Sequence, residues 1–167
     1  MGPTPRDEAI DLDLINAGKQ PISLLNGGSY FHHADSFAMM RGGHLDVCVM
    51  GGMQVSAASD LSNWSLGRRG ELAAVGGAMD LAVGARRVFI MMDHNSKDGF
   101  PKIVQTCTLP LTGAKVVDRI YTDLAVIDVT PSGLAVRDMI EGMTLEILQQ
   151  RIDAPLRMAK DGERTAP

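Results

Sequence analysis

Cysteine is scarce: Cys48 lies inside an apolar run and Cys107 near a turn, too few in 167 residues for a disulfide framework, and both are read as reduced thiols. Clustered positive charge is also missing. A formal net charge of −4 and scattered Lys and Arg offer no basic face to a phosphate backbone, which excludes nucleic acid as an expected partner. No apolar stretch approaches the roughly 20 residues that span a bilayer, and "MGPTPRDEAID" has no apolar signal core, so no membrane association is expected and the chain reads as soluble and cytoplasmic. Internal repeats and low-complexity tracts are absent too.

Hydrophobic residues make up 45% of the 17.9 kDa chain, enough to close one α/β core. A single domain over 1–155 with a polar tail over 156–167 is expected. The first 20 residues show no helical or alternating periodicity and read as a loop that begins in mid-fold. "PISLL" predicts a short strand, "NGGS" a turn, and "ADSFAMMRGG" a short helix capped by Asp35 or Ser36 and stopped at Gly42 or Gly43. "HLDVCVMGG" reads as a strand buried on both faces. The same grammar follows in the glycine pair Gly76 and Gly77, the helix "AMDLAVGA" and the strand "VFIMMD". "DLAVIDV" and "GLAVRDM" flank the turn "TPSG", and "TLEILQQRI" predicts a terminal amphipathic helix. This alternation predicts an α/β fold, an open mostly parallel sheet with flanking helices and an antiparallel hairpin near the C-terminus.

Several chemical signatures are lacking as well. The glycines fit neither G-x-G-x-x-G nor a phosphate loop ending in Gly-Lys-Ser/Thr. Gly76 and Gly77 are therefore either turn punctuation or a close-approach cradle for a small anionic centre, where helix-start N–H groups would face negative charge. His32, His33 and Asp35 sit together, and His44 and His94 elsewhere, but no H-x-x-x-H or C-x-x-C spacing supplies ligands; no metal is expected, and capping, turn contacts or an oligomer interface are the alternatives. Ser56, Ser59 and Ser62 lack a G-x-S-x-G elbow, against a serine hydrolase. Gln54, Asn63 and Trp64 read as amide donors and an apolar anchor of a pocket wall, or as an ordered surface loop. Asp93 and His94 end a strand where open α/β sheets bind ligands, or simply where polar residues meet solvent. The methionines read as core packing.

Six stretches, "DLINAGKQ", "DSFAMMRGGHLDV", "MQVSAASDLSNW", "VGGAMDLAVGARRV", "LPLTG" and "RIYTDLAV", stand in an order that resembles the B subunits of the 3-oxoacid CoA-transferases, the class I group with separate A and B subunits. The resemblance runs from Met1 to about Pro155. It implies a CoA-transferase-like fold lacking the family's first strand and helix, a CoA-transferase A subunit as partner in a heteromer, and acyl-CoA and carboxylate substrates. Coenzyme A is then a substrate and a transient covalent thioester, with no cofactor bound permanently. A glutamate of the B subunit would attack the thioester, pass through an anhydride, and carry CoA as a glutamyl thioester until the acceptor acid opens it. The loop "VGGAMD" is similar to the family's oxyanion-side loop, with the N–H of Gly77, or of Gly76, toward the glutamyl carbonyl. Ala78, Met79, Gln54, Asn63 and Arg41 are the implied substrate and CoA contacts.

"SLGRRGELAAVGGAMD" and "VFIMMDH" look more like the 3-oxoadipate transferases than the acetoacetate enzymes, and Arg41, Arg68, Arg69 or the A subunit would supply the cation that a dicarboxylate needs. Ser59 and Ser62 stand where the family more often has Gly and Ala. The family's Glu-Asn-Gly nucleophile motif belongs before Met1 and occurs nowhere in the 167 residues; Glu8, Glu71, Glu141, Glu146 and Glu163 lie in other contexts. The expectation is a longer natural protein begun at an internal methionine, these residues alone being inactive. The alternatives are a shortened, catalytically dead form serving as a binding or scaffold protein, and an acyl-CoA hydrolase of the same fold.

Overall fold

The structure, a computed structural model, describes residues 1–16 and 19–160. Two compact units divide the chain, Met1–Ser36 and Phe37–Pro167. Among the described residues, a 3-10 turn at Asp7–Ala9 precedes helices α1 (His33–Arg41), α2 (Ala78–Gly84) and α3 (Leu145–Gln149). The strands are β1 (Cys48–Gly51), β2 (Gln54–Ser56), β3 (Leu61–Ser62), β4 (Val88–Met91), β5 (Ile103–Val104), β6 (Arg119–Tyr121), β7 (Ala125–Thr130), β8 (Gly133–Met139) and β9 (Leu156–Met158).

The smaller unit is mostly irregular, as its lack of periodicity predicts. "PISLL" is not a strand: Pro21 forms only an isolated bridge to Ile15. Ile22 donates to Leu14, while Ser23 exchanges backbone bonds with Gly2 and Pro3. Prolines at 3 and 21 cannot donate, so no regular ladder grows from these contacts. His32, rather than Asp35 or Ser36, caps the helix start, its Nδ1 accepting from the Ala34 N–H at 3.1 Å.

The larger unit holds a six-stranded sheet ordered β1-β4-β6-β7-β8-β9 and a three-stranded sheet ordered β3-β2-β5. In the large sheet β1-β4, β4-β6 and β8-β9 pair in parallel; β6-β7 and β7-β8 are antiparallel, the last joined through the predicted "TPSG" turn. Val88, Ile90, Ile120, Ile127, Leu134 and Val136 fill one face of this sheet. They are buried in one cluster with Val55, Leu61 and Ile103 of the small sheet, Ala82 of α2 and Leu148 of α3. Each Val, Leu or Ile among them contributes about 1.5–3 kcal/mol on burial.

The other face carries Val49, Phe89, Tyr121, Arg119 and Asp128, matched across the strands by register. Phe89 and Tyr121 meet edge to face at 5.8 Å, and Arg119 stacks over Phe89. The run "HLDVCVMGG" was expected to be buried on both faces. Instead β1 lies at the sheet edge and Val49 is 54% exposed, because an apolar run does not say whether a second strand or layer covers it. The sheet also continues to Met158, past the boundary drawn at 155. The rest of the tail, 161–167, lies outside the described residues. The small sheet was not foreseen; strands of two or three residues are too short to show a period.

Helix α1 ends as the glycines predict. His44 N–H bonds to the Met39 carbonyl and Gly43 N–H to that of Met40, with Gly43 at φ +71°, the paired bonds of a Schellman cap. Gly84, the last residue of α2, packs on this same turn: a Cβ there would lie 2.1 Å from the Met40 carbonyl oxygen. The obstacle is backbone and cannot rotate away. Gly84→Ala is therefore expected to lower stability by about 2 kcal/mol, read as a fall in the urea midpoint at unchanged slope. An unchanged midpoint would refute this packing.

Ser59 sits at φ +71° in the β2–β3 turn, a conformation that glycine adopts more readily. Ser59→Gly is expected to stabilise by about 1 kcal/mol, since a side chain in this region costs roughly that much. Thermal unfolding of the variant measures it, and a lowered midpoint would contradict it.

Candidate active site

The two glycines at 76 and 77 are required for different physical reasons. Gly76 has φ +56°, and a Cβ on it would meet nothing within 4 Å, so its need is conformational. Gly77 has an ordinary φ of −77°, but a Cβ on it would lie 3.1 Å from Phe37 Cζ and 3.3 Å from Cε1. Its need is space. The turn closes by a bond from the Ala78 N–H to the Val75 carbonyl at 3.3 Å, leaving the N–H groups of Gly76 and Gly77 without a bond to any described residue. Two adjacent, uncommitted donors beside bare backbone can stabilise charge on a carbonyl oxygen.

Around this turn α1 and α2 contribute a fixed frame. Arg41 Nε donates to Asp80 Oδ1 at 2.6 Å, and the guanidinium lies 5.6 Å from the Phe37 ring centroid. The bond and charge of Asp80 raise the Arg41 pKa further. Arg41 is thus brought beside the glycines, with Asp80 as its carboxylate partner. Ala78 begins α2, and Met79 next to it is 46% exposed. Phe37 and Asp80 were missed as site residues, although both lie in quoted stretches, "DSFAMMRGGHLDV" and "VGGAMDLAVGARRV". Their roles emerge only when the two helices meet.

Gln54 and Asn63 lie on the small sheet's side. The Gln54 side-chain oxygen accepts from the N–H groups of Thr108 and Leu109 at 2.9 and 3.1 Å, so the amide clamps the loop after β5. Asn63 Nδ2 donates to the Gly51 carbonyl at the end of β1, and its oxygen accepts from Thr112 Oγ1 at 2.6 Å. Next to Thr112, the position a Cβ would take on Gly113 lies 3.4 Å from Ala82 Cβ of α2. Asn63 therefore connects the carboxyl end of β1 to the segment packed on α2. Trp64 Nε1 donates to the Leu111 carbonyl. Thr112, of the quoted "LPLTG", is the member of this network that sequence reasoning passed over.

Arg68 and Arg69 flank a loop organised by Glu71, whose carboxylate accepts from Ser65 Oγ at 2.6 Å and from the Leu66 and Arg68 N–H groups. The Ser65 hydroxyl and these backbone donors lower the Glu71 pKa. Ser56 and Ser62 are buried: the Ser56 hydroxyl donates to Asp60 and that of Ser62 to the Leu109 carbonyl. His94 is 1% exposed, its N–H bonded to Asp123 and its Nδ1 2.9 Å from Thr122 Oγ1, with Nε2 buried and unpartnered among the described residues.

Burial lowers the His94 pKa, so the folded protein holds it neutral. Its unfolded value is near 6.5. Stability from this residue is then full above that value and is lost as pH falls through the interval down to the depressed folded value. The urea midpoint is expected to drop on acidification below about pH 6.5 and to drop less in His94→Gln. Equal acid sensitivity in both proteins would contradict this.

No helix among the described residues is long and apolar enough to cross a membrane, and no group of three or more His, Cys, Asp or Glu among them is placed to hold a metal ion. Cys48 and Cys107 are free thiols, their pKa values raised by burial.

The α/β architecture and these ordered motifs define a class, and residues 1–151 match the Coenzyme A transferase family, to which the chain belongs. It is 58% identical over 156 residues to the B subunit of the 3-oxoadipate CoA-transferase of Pseudomonas putida, covering 93% of this chain and 73% of that one. It is 55% identical over 162 residues to the B subunit of the same name from Acinetobacter baylyi, covering 97% and 75%. Among solved structures, the acyl-CoA transferase YdiF of Escherichia coli O157:H7 superposes with a TM-score of 0.68 at 16% identity, over 83% of this chain and 32% of that one. That likeness speaks for the fold alone, and the chain spans about a third of YdiF's length.

Proposed function

We propose that the chain acts as the B subunit of a heteromeric CoA-transferase that moves CoA from succinyl-CoA to a 3-oxoacid, 3-oxoadipate being the preferred acceptor. The observation that carries this reading is the Gly76–Gly77 turn, with two uncommitted N–H groups, open space beside Gly76 and the Phe37 ring beside Gly77. The names of the relatives at 58% and 55% identity support the acceptor and an A subunit as partner.

In the proposed reaction a glutamate carboxylate, from a motif these 167 residues do not contain, attacks the thioester carbonyl; the C–S bond breaks and coenzyme A leaves as thiolate. The thiolate then attacks the glutamyl carbonyl of the resulting anhydride, freeing succinate and leaving a glutamyl-CoA thioester. The acceptor carboxylate repeats the sequence in reverse. Each addition places negative charge on a carbonyl oxygen, and the Gly77 N–H, with Gly76 as the alternative, is the donor this chain offers. Ala78 and Met79 border the thioester, and Gln54 and Asn63 hold the adjoining wall. Arg41, paired with Asp80, frames the glycine turn; the acceptor's second carboxylate is met by Arg68, Arg69 or the A subunit.

Initial rates with the natural protein and its A subunit test this reading. The expected pattern is ping-pong kinetics in succinyl-CoA and acceptor, with higher kcat/KM for 3-oxoadipate than for acetoacetate. A sequential pattern, or water as the only acceptor, would overturn it.

A further inference from the structure

A cavity of about 870 Å³ opens where the β2–β3 turn meets the β7–β8 turn. Its wall includes Asp118, the residue before β6, whose carboxylate accepts the Val88 N–H at the start of β4. The cavity therefore lies at the amino ends of β4 and β6 in the large sheet and just past the carboxyl ends of β2 and β5 in the small one. None of the described residues lining it belongs to the glycine turn, to α1 or to α2. The cavity belongs to no part of the transfer chemistry proposed above.

Among the described residues that line it are two cations, Lys115 and Arg157, and one carboxylate, that of Asp118. Arg157 is set in place: its Nη2 donates to Ser132 Oγ at 2.7 Å and to Thr130 Oγ1 at 3.1 Å. The Lys115 ammonium has no carboxylate within ion-pair distance among the described residues. Hydroxyls of Ser59 and Ser132 and the amide of Gln105 complete the polar lining, while Pro131 and Pro155 give it apolar surface. Of the three non-glycine residues with positive φ among those described, two border this cavity: Ser59 at +71° and Lys115 at +56°. Strained backbone of this kind persists where surrounding structure enforces it and gathers at ligand sites. Lys115 is held so by its own N–H bond to Asp60 Oδ1 at 3.0 Å.

We propose that this cleft is a second ligand site, separate from the transfer site, that takes a phosphorylated organic anion of nucleotide size. Lys115 and Arg157 pair with the phosphate oxygens, the serine hydroxyls donate to them, and the prolines receive the apolar part of the ligand. A cleft of this volume lies within the range that small-molecule sites occupy.

Calorimetric titration of the natural protein with ADP, pyrophosphate and inorganic phosphate tests the assignment. Saturable binding of ADP is expected, weakened at least about tenfold by Lys115→Asn. Asparagine is chosen because it removes the charge yet tolerates a left-handed backbone. Ser132→Ala, which leaves both cations, is expected to weaken binding less, and neither variant should change the rate of CoA transfer. Absence of saturable ADP binding would overturn the proposal, as would binding indifferent to both substitutions. Binding of inorganic phosphate but not ADP would overturn the nucleotide-sized assignment. Competition between ADP and succinyl-CoA that disappears in Lys115→Asn would overturn the separateness of the site. Failure of transferase activity with ADP binding intact would leave this inference standing while removing the functional reading above.

Discussion

Replacing Asp128 by alanine is expected to cost about 3–5 kcal/mol, the loss that follows when one partner is removed from a buried ion pair. Asp128 is fully buried in the middle of the large sheet. Arg119 of β6 donates through Nε to Oδ1 at 2.5 Å and through Nη2 to Oδ2 at 3.2 Å, and Arg137 of β8 donates through Nε to the same Oδ2. The carboxylate thus fastens three strands on the face that carries Phe89 and Tyr121. Without it, two guanidinium groups confront each other across β7. Because Arg119 and Arg137 remain 29% and 25% exposed, water can rehydrate part of each, and the lower end of the range, about 3 kcal/mol, is expected. A triple replacement, Asp128→Leu with Arg119→Met and Arg137→Met, should recover most of the loss, since apolar groups of similar volume need no pairing. Denaturant unfolding of both variants measures this. An alanine variant as stable as the parent would show that the strands are held by their backbone ladders alone.

Gly77→Val is expected to lower turnover about 100-fold or more in the assembled enzyme, comparable to the loss of one oxyanion donor. A single Cβ already approaches Phe37 at 3.1 Å, and the two methyl groups of valine extend into its ring. Either the ring or the turn must yield, and the turn is the less anchored, closed by one 3.3 Å bond. In the proposed reaction the displaced N–H would then no longer face the glutamyl carbonyl. Combining Gly77→Val with Phe37→Ala separates the causes. Recovered turnover would assign the defect to the ring, whereas persistent loss would assign it to valine blocking the thioester's approach. Normal rates in the single variant would remove Gly77 from the site.

Elements with strong local punctuation were legible in the sequence. The β7–β8 hairpin announces itself by "TPSG", α2 by the glycines before it, and the end of α1 by Gly43, whose positive φ few other residues adopt. The mostly parallel sheet followed from alternating helix and strand patterns. What remained illegible depends on distant partners. The strand pairs of the small sheet rest on contacts such as Val55 with Ile103, far apart in sequence. Asp128 reads as one more polar residue in an apolar run until β6 and β8 bring it two arginines. Arg41 reads as a free cation until α2 presents Asp80. At the candidate site, the glycine pair was visible, but the division of labour between Gly76 and Gly77 was not, because it requires the position of Phe37.

Covalent catalysis leaves an intermediate that can be trapped. The natural protein, purified with its A subunit and incubated with succinyl-CoA, is to be treated with borohydride and digested for peptide mass analysis. The expected product is a reduced glutamyl thioester at a Glu-Asn-Gly glutamate, formed only with succinyl-CoA present and diminished in Gly77→Val. No trapped glutamate in a folded, fully assembled heteromer would contradict the transferase reading.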